Sequence, residues 1–278
     1  MVGDANSRSP LLRRAALAVA LLAACVPALA LGAGTSTPPK HTVHPWRPGV
    51  HSAVDYARHR RASSIAFAVA TPTHFYGWNA TRTFYSASLL KPMLLVAYLR
   101  RGSVRGRGLH GSERSTLTPM IERSDNAAAG RILGIVGKSG LRKLARRAGM
   151  HRFTPVTGVW GKSRIDASDQ ARFFLQIDKL VPRRHRAYAM HLLASIVPSQ
   201  RWGIGRVGPP GWHLYFKGGW GSGTGWVDHQ TALLVRGRER VALSILTYLD
   251  PSHAYGKETL RGIAKRLLSG LSKAKLVR

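Results

Sequence analysis

The chain of 278 residues carries 43 lysines and arginines against 12 aspartates and glutamates, a formal net charge of +31. That length suits one large domain, or two closely packed ones, with a real core. A disulfide-stapled miniprotein is excluded, since Cys25 is the only cysteine. The charge directs the surface toward anionic material, a cell-wall polymer or a membrane face. No nucleic-acid partner is expected: the basic residues are scattered, no zinc-finger or RNA-binding signature occurs, and an exported protein rarely meets a genome. A solvated, arginine-rich surface with no partner is the alternative reading of the same charge.

Arg8, Arg13 and Arg14 precede an apolar run from Ala15 to Ala24, and Ala28-Leu29-Ala30 offers a small-residue cleavage site. Residues 1–30 therefore read as an export signal, and the mature protein is expected to be secreted or held at the cell envelope. Leu22-Ala23-Ala24-Cys25 also fits a lipoprotein box, which would put a lipid on Cys25. The apolar continuation from Val26 to Leu31 favours simple secretion, and a retained anchor over Ala15 to Gly32 is a third route. Residues 31–50 read as a flexible linker, with Thr-Ser-Thr-Pro-Pro, His41, His44, Pro45 and Pro48 and no apolar periodicity. The two histidines lack a third ligand nearby, so no metal is expected.

The folded part, 51–278, opens with a helix around Ser52 to Arg60. Strands Ser64 to Ala70 and His74 to Trp78 follow, around a Thr-Pro-Thr turn. Ser88 opens a helix through Tyr98, with Pro92 in its tolerant first turn. Helical patterns continue to about Val197, and Ser168-Asp169 starts one that contains Phe173, Phe174 and Ile177. Strands return at Trp212 to Phe216, Gly225 to Val235 and Arg240 to Leu249. The last helix shows Leu260, Ile263, Ala264, Leu267, Leu268 and Leu271, the stripe of a helix lying on a sheet. The expected class is α+β: an antiparallel sheet formed from both ends of the chain (51–84 and 205–275), flanked by terminal helices, with an inserted all-helical subdomain (85–204).

Three motifs carry chemistry. Ser88-Leu89-Leu90-Lys91 sets a hydroxyl and an amine on one helix face, where the amine can take the hydroxyl proton. Ser124-Asp125-Asn126 occurs once, between helical patterns. Lys217-Gly218-Gly219 ends the aromatic run Trp212 to Phe216 and opens a glycine-rich hairpin. Ser272-Lys273-Ala274-Lys275 repeats the first spacing in a solvated tail. Lys138-Ser139-Gly140 imitates the third motif but lies in a helix-loop-helix stretch, so both are set aside. A Gly-x-Ser-x-Gly elbow is absent, because Trp220 stands where glycine is needed before Ser222.

In that order and context, the three motifs resemble the penicillin-recognising serine hydrolase superfamily, in its class A β-lactamase-like branch, from about Ser64 to Leu271. The resemblance implies Ser88 as nucleophile, Lys91 as its base and Ser124 as proton relay to the leaving nitrogen. It implies that Asn126 binds the substrate amide, that Asp125 holds its loop, and that Lys217, Gly218, Gly219 and Trp220 line the substrate. The oxyanion would lie between the backbone N–H groups of Ser88 and Trp220. Lys217 would supply the cation that lowers the Lys91 pKa. The implied substrates are β-lactams or peptidoglycan peptides, with no cofactor and a monomeric protein.

Three departures qualify this pattern. No glutamate lies between Asn126 and Phe216, where class A enzymes keep the base for deacylation. Asp166 is the nearest stand-in, with helix capping beside Ser168-Asp169 as its other explanation. Gly218 replaces a threonine, for which Ser222 or Thr224 would compensate. The stretch from Lys91 to Ser124 is short, so one wall of the cleft is expected to be missing. The expected function is an exported serine hydrolase, acylated at Ser88 and slow to deacylate. A D,D-peptidase acting on peptidoglycan and a catalytically inactive wall-binding relative are the alternatives.

Overall fold

Residues 45–274 and 276 are described by the computed structural model. The export signal, Cys25 with its lipoprotein box, and His41 and His44 lie outside the described residues.

The Ser-Ile-Ala-Phe-Ala-Val-Ala run forms strand β1 (Ser64–Ala70), buried from Ile65 onward, as expected of a strand covered on both faces. β2 (Phe75–Trp78) folds back on it as an edge. The C-terminal strands β6 (Val227–Arg236) and β7 (Glu239–Tyr248) form a hairpin, and β7 pairs with β1 from Ser64↔Tyr248 to Ala70↔Ala242. With β5 (His213–Gly221) the order is β2-β1-β7-β6-β5, antiparallel throughout. The two chain ends therefore build one sheet.

Helices cover both faces. α1 (Val50–Arg60) packs on the C-terminal helix α8 (His253–Leu267), whose Leu260, Ile263, Ala264 and Leu267 stripe is buried. α5 (Ala167–Leu175) packs on β1, β6 and β7. Between the two halves of the sheet the chain makes the short strand β3 (Thr83–Tyr85), α2 (Leu90–Leu99), α3 (Gly111–Glu122) and α4 (Asn126–Arg147). It then adds strand β4 (Arg164–Asp166), α5, α6 (Ile177–Leu180) and α7 (Arg186–Ala194). β4 pairs with β3, from Thr83↔Asp166 to Tyr85↔Arg164. α2 is buried at every residue, which its almost wholly apolar sequence allows. Lys138-Ser139-Gly140 lies in α4, next to the Gly137 kink.

Four expectations need correction. Pro45 to Gly49 is not linker: Trp46 is 8% exposed and its indole Nε1 donates to the Ser269 carbonyl at 2.9 Å. A tryptophan with apolar surface in reach buries it, and Val50 already begins a helix. Lys217-Gly218-Gly219 lies inside β5, and the turn falls at Ser222 to Thr224 instead. Ser88 sits in a single 3-10 turn, Ala87–Leu89, ahead of α2. Ile177 starts a separate short helix, and α5 is capped by Asp166, whose Oδ1 accepts the Asp169 N–H at 2.7 Å.

Candidate active site

The turn that carries Ser88 is held from the β3–β4 pair. Ser86 N–H donates to the Ser163 carbonyl at 2.7 Å, and its Oγ donates to the Gly161 carbonyl at 3.3 Å. Ala87 then adopts φ +42°, a conformation disfavoured for a residue with a Cβ. From the other side, β5 presses on the turn. A Cβ at Gly219 would stand 2.9 Å from both the Ser88 and Leu89 nitrogens, so only glycine lets the strand come this close. Ser88 is 7% exposed, and among the described residues its hydroxyl takes part in no hydrogen bond.

Lys91 is fully buried, and its Nζ donates to Ser124 O at 2.5 Å, Ser124 Oγ at 2.9 Å and Asn126 Oδ1 at 2.8 Å. Three acceptors satisfy the three N–H bonds of an ammonium. The amine is thus turned to the Ser124 loop, and no hydrogen bond joins it to Ser88. The Trp160 ring lies over it, 4.8 Å from Nζ to centroid. Burial lowers the Lys91 pKa to about 7, against the opposing pull of Asp125.

Lys217, also fully buried, donates to Ser124 Oγ at 3.1 Å and to the Gly218 carbonyl at 2.8 Å. Burial holds its amine well below the ordinary lysine range, and the Lys91 charge pushes it further down. The expectation that Lys217 lowers Lys91 is therefore corrected. Desolvation comes first at Lys91, and the repulsion between the two amines falls on the deeper one. Ser124, at φ +61°, accepts from both lysines, which fills its lone pairs and leaves its own proton for another acceptor. Asp125 Oδ1 accepts the Ala128 N–H at 2.7 Å and caps α4.

The remaining residues divide. Gly218 has a steric reason: a Cβ there would meet the Trp202 ring at 3.1 Å, so a threonine would need the indole to give way by a few tenths of an ångström. Gln230 of β6 fixes that tryptophan, donating to the Trp202 carbonyl at 2.8 Å and accepting the Ile204 N–H at 2.6 Å. Trp220, half-buried, stacks on His253, while Ser222 is exposed. Thr224 donates to the Gly221 carbonyl at 3.2 Å, which commits its hydroxyl to its own turn.

Asp166 forms no hydrogen bond with Ser88, Lys91, Ser124 or Lys217. It pairs across from Thr83, at the end of the β3–β4 ladder away from Ser88, and it caps α5. Two residues of strand separate it from the Tyr85 end, about 7 Å. The charged groups acting on it are Asp169, Arg152 and Arg172, with burial first, and they hold its carboxyl at about 6.

Trp160, Trp202 and His229 escaped the sequence reading. His229 sits on β6, where its Nε2 meets the Tyr85 carbonyl at 2.9 Å and its Nδ1 accepts the Thr247 N–H. Burial holds this imidazole near pKa 4, so it stays neutral while tying the sheet to the segment before Ser88. Nothing in their local sequence marks these side chains, because each acts across a long chain separation. Gly219→Ala is expected to destabilise the fold by about 1–3 kcal/mol, since the crowding atoms are backbone and cannot rotate away. Denaturant unfolding measures this, and an unchanged midpoint would refute the close approach.

A family model described as the β-lactamase enzyme family matches residues 103–271, more than half of the chain, beginning after Lys91. No curated protein matches. Among solved structures, a β-lactamase from Sphaerobacter thermophilus is 18% identical, with 82% of this chain and 98% of that chain covered at a TM-score of 0.68. A β-lactamase from Xanthomonas campestris is 14% identical, over 78% and 95% of the two chains, also at 0.68. The chromosome-encoded β-lactamase of Vibrio parahaemolyticus is 13% identical, over 80% and 98%, at 0.66. At these identities the structures establish the likeness of fold, and the family model adds kinship: the chain belongs to the β-lactamase enzyme family.

Proposed function

We propose that the chain is an exported serine hydrolase that β-lactams or related peptides acylate at Ser88, and that the acyl-enzyme breaks down slowly. The observation that carries this reading is the position of Ser124 Oγ, 2.9 Å from one buried amine and 3.1 Å from another. Near neutral pH part of the Lys91 population is neutral. A neutral amine that leaves one Ser124 contact can turn to Ser88 and take its proton. The Ser88 oxygen attacks the amide carbonyl, and the tetrahedral oxyanion is received by the N–H groups of Ser88 and Trp220. Such donors contribute about 2.7–4 kcal/mol each. As the C–N bond breaks, Ser124 gives its proton to the leaving nitrogen and is reprotonated from Lys91.

Release of the ester requires a water and a base. Asp125 and Asp166 are both engaged as helix caps. Losing a general base costs about 10²–10⁴-fold, or about 3–5 kcal/mol. That favours capture over turnover, and it gives support to a second reading, a D,D-peptidase that penicillin would inhibit. Export rests on residues 1–30, and retention at the anionic wall or membrane face on the +31 charge. An inactive wall-binding relative would keep the fold and form no adduct.

The intact mass after benzylpenicillin treatment is expected to rise by one adduct, and Ser88→Ala to abolish the rise. Because only the neutral amine accepts a proton, the rate of adduct formation should climb about tenfold per pH unit below about 7 and level off above it. A rate flat across that range would remove Lys91 as the base, and no adduct at any pH would leave the inactive relative. Asp166→Asn is expected to leave adduct lifetime unchanged, because asparagine also caps helices. A lifetime about tenfold longer or more would make Asp166 the hydrolytic base.

A further inference from the structure

β5 is the last strand of the sheet, and no described strand pairs with its outer edge. An extended peptide laid along such an edge presents alternate substituents to its two faces. The strand itself alternates the same way. Gly219 faces the Ser88 turn, and the next residue, Trp220, faces Trp202 and His253 on the α8 side, with ring centroids 5.7 and 5.8 Å away. A cavity of about 130 Å³ opens on that second face, with room for several waters or an aminoalkyl group.

The walls of this cavity are unusual for so basic a protein. Trp220 and the half-exposed Trp226 supply indole surface, and Asp228, Asp250 and His253 supply the polar groups. Elsewhere Glu113, Asp178, Glu239 and Glu258 each form an ion pair with an arginine. Among the described residues, Asp228 and Asp250 form none with a lysine or arginine, although Lys257 and Arg61 stand near enough to be felt. Asp250 accepts the hydroxyls of Ser63 and Thr247.

Asp228 is 2% exposed and lies directly across from Trp220 in the β5–β6 ladder. Its Oδ1 meets His253 Nδ1 at 2.6 Å, and among the described residues none hydrogen-bonds to its Oδ2. Burial, with the neighbouring Asp250 charge second, holds the Asp228 carboxyl up to about 8. His253 pairs with Asp228 on one oxygen, and a cation entering the cavity would add counter-charge and favour the carboxylate. Indole faces and a buried carboxylate together are the chemistry that recognises ammonium groups.

We propose that the cavity bounded by Trp220, Trp226, Asp228 and His253 is a subsite for an ammonium group, carried on the residue next to the one acylated at Ser88. The position of the subsite relative to the reacting carbonyl rests on the acylation reading above; its preference for a cation does not. The protein's overall charge repels free cations, so a peptide amine gains here only through the local acidic wall.

The test uses the Ser88→Ala protein and two lysyl-alanyl-alanine peptides of D-alanine, one with a free ε-amine and one with it acetylated. Calorimetry is expected to show the free amine binding about tenfold tighter or more, as a charge-assisted hydrogen bond would give. Asp228→Asn should erase the difference. Should that variant unfold, Trp226→Ala at the exposed rim should weaken the preference without touching the carboxylate. Equal affinities for the two peptides, or a preference that survives both substitutions, overturn the subsite. Penicillin adducts on the unsubstituted protein separate the two ideas. Acylation without discrimination between the peptides sinks the subsite alone, and discrimination without acylation sinks only the chemistry assigned to Ser88.

Discussion

Two buried amines share one hydroxyl oxygen. Lys91 and Lys217 both donate to Ser124 Oγ, in a pocket that water reaches poorly. Burial lowers both amines, and the Lys91 charge lowers Lys217 further. The result is an alkylamine that is neutral near physiological pH without any carboxylate to deprotonate it. A lysine on the surface would titrate near 10.4 and be useless as a base. The energetic cost of burying the pair is carried by the rest of the fold.

That cost explains several local oddities. Ala87 and Ser124 occupy left-handed backbone conformations on opposite sides of Lys91, and both persist only because their surroundings hold them. Gly219 lets β5 approach the Ser88 turn, while Gly218 makes room for Trp202, which Gln230 anchors from the adjacent strand. Trp160 covers the Lys91 amine with an aromatic face, a neighbour that tolerates charge and excludes water. The unusual residues thus cluster around the amine pair.

The fold was largely legible because β1, β7 and α8 obey simple periodicities, and sequential hairpins left few topologies. The three motifs named the site's polar core, since each needs particular residue types at close spacing. What escaped was long-range. Lys-Gly-Gly read as a turn because glycines usually mark one, whereas here they thin a strand so that another segment can approach. Asp166 looked available because nothing in its sequence separates capping from catalysis, and only the structure shows its carboxyl capping α5. Trp46 passed for linker because prolines surround it, and its docking site near Ser269 lies 223 positions on. Nor does spacing alone predict which way a lysine points: Lys91 faces Ser124 rather than Ser88.

The most direct measurement is a ¹⁵N NMR titration of the lysine side-chain amines, with Lys91→Arg and Lys217→Arg used for assignment. Lys91 should titrate near pH 7, and Lys217 well below the ordinary lysine range. Two buried amines that both stay charged up to about pH 10, like free lysine, would contradict the shared-oxygen site from which the chemistry is derived.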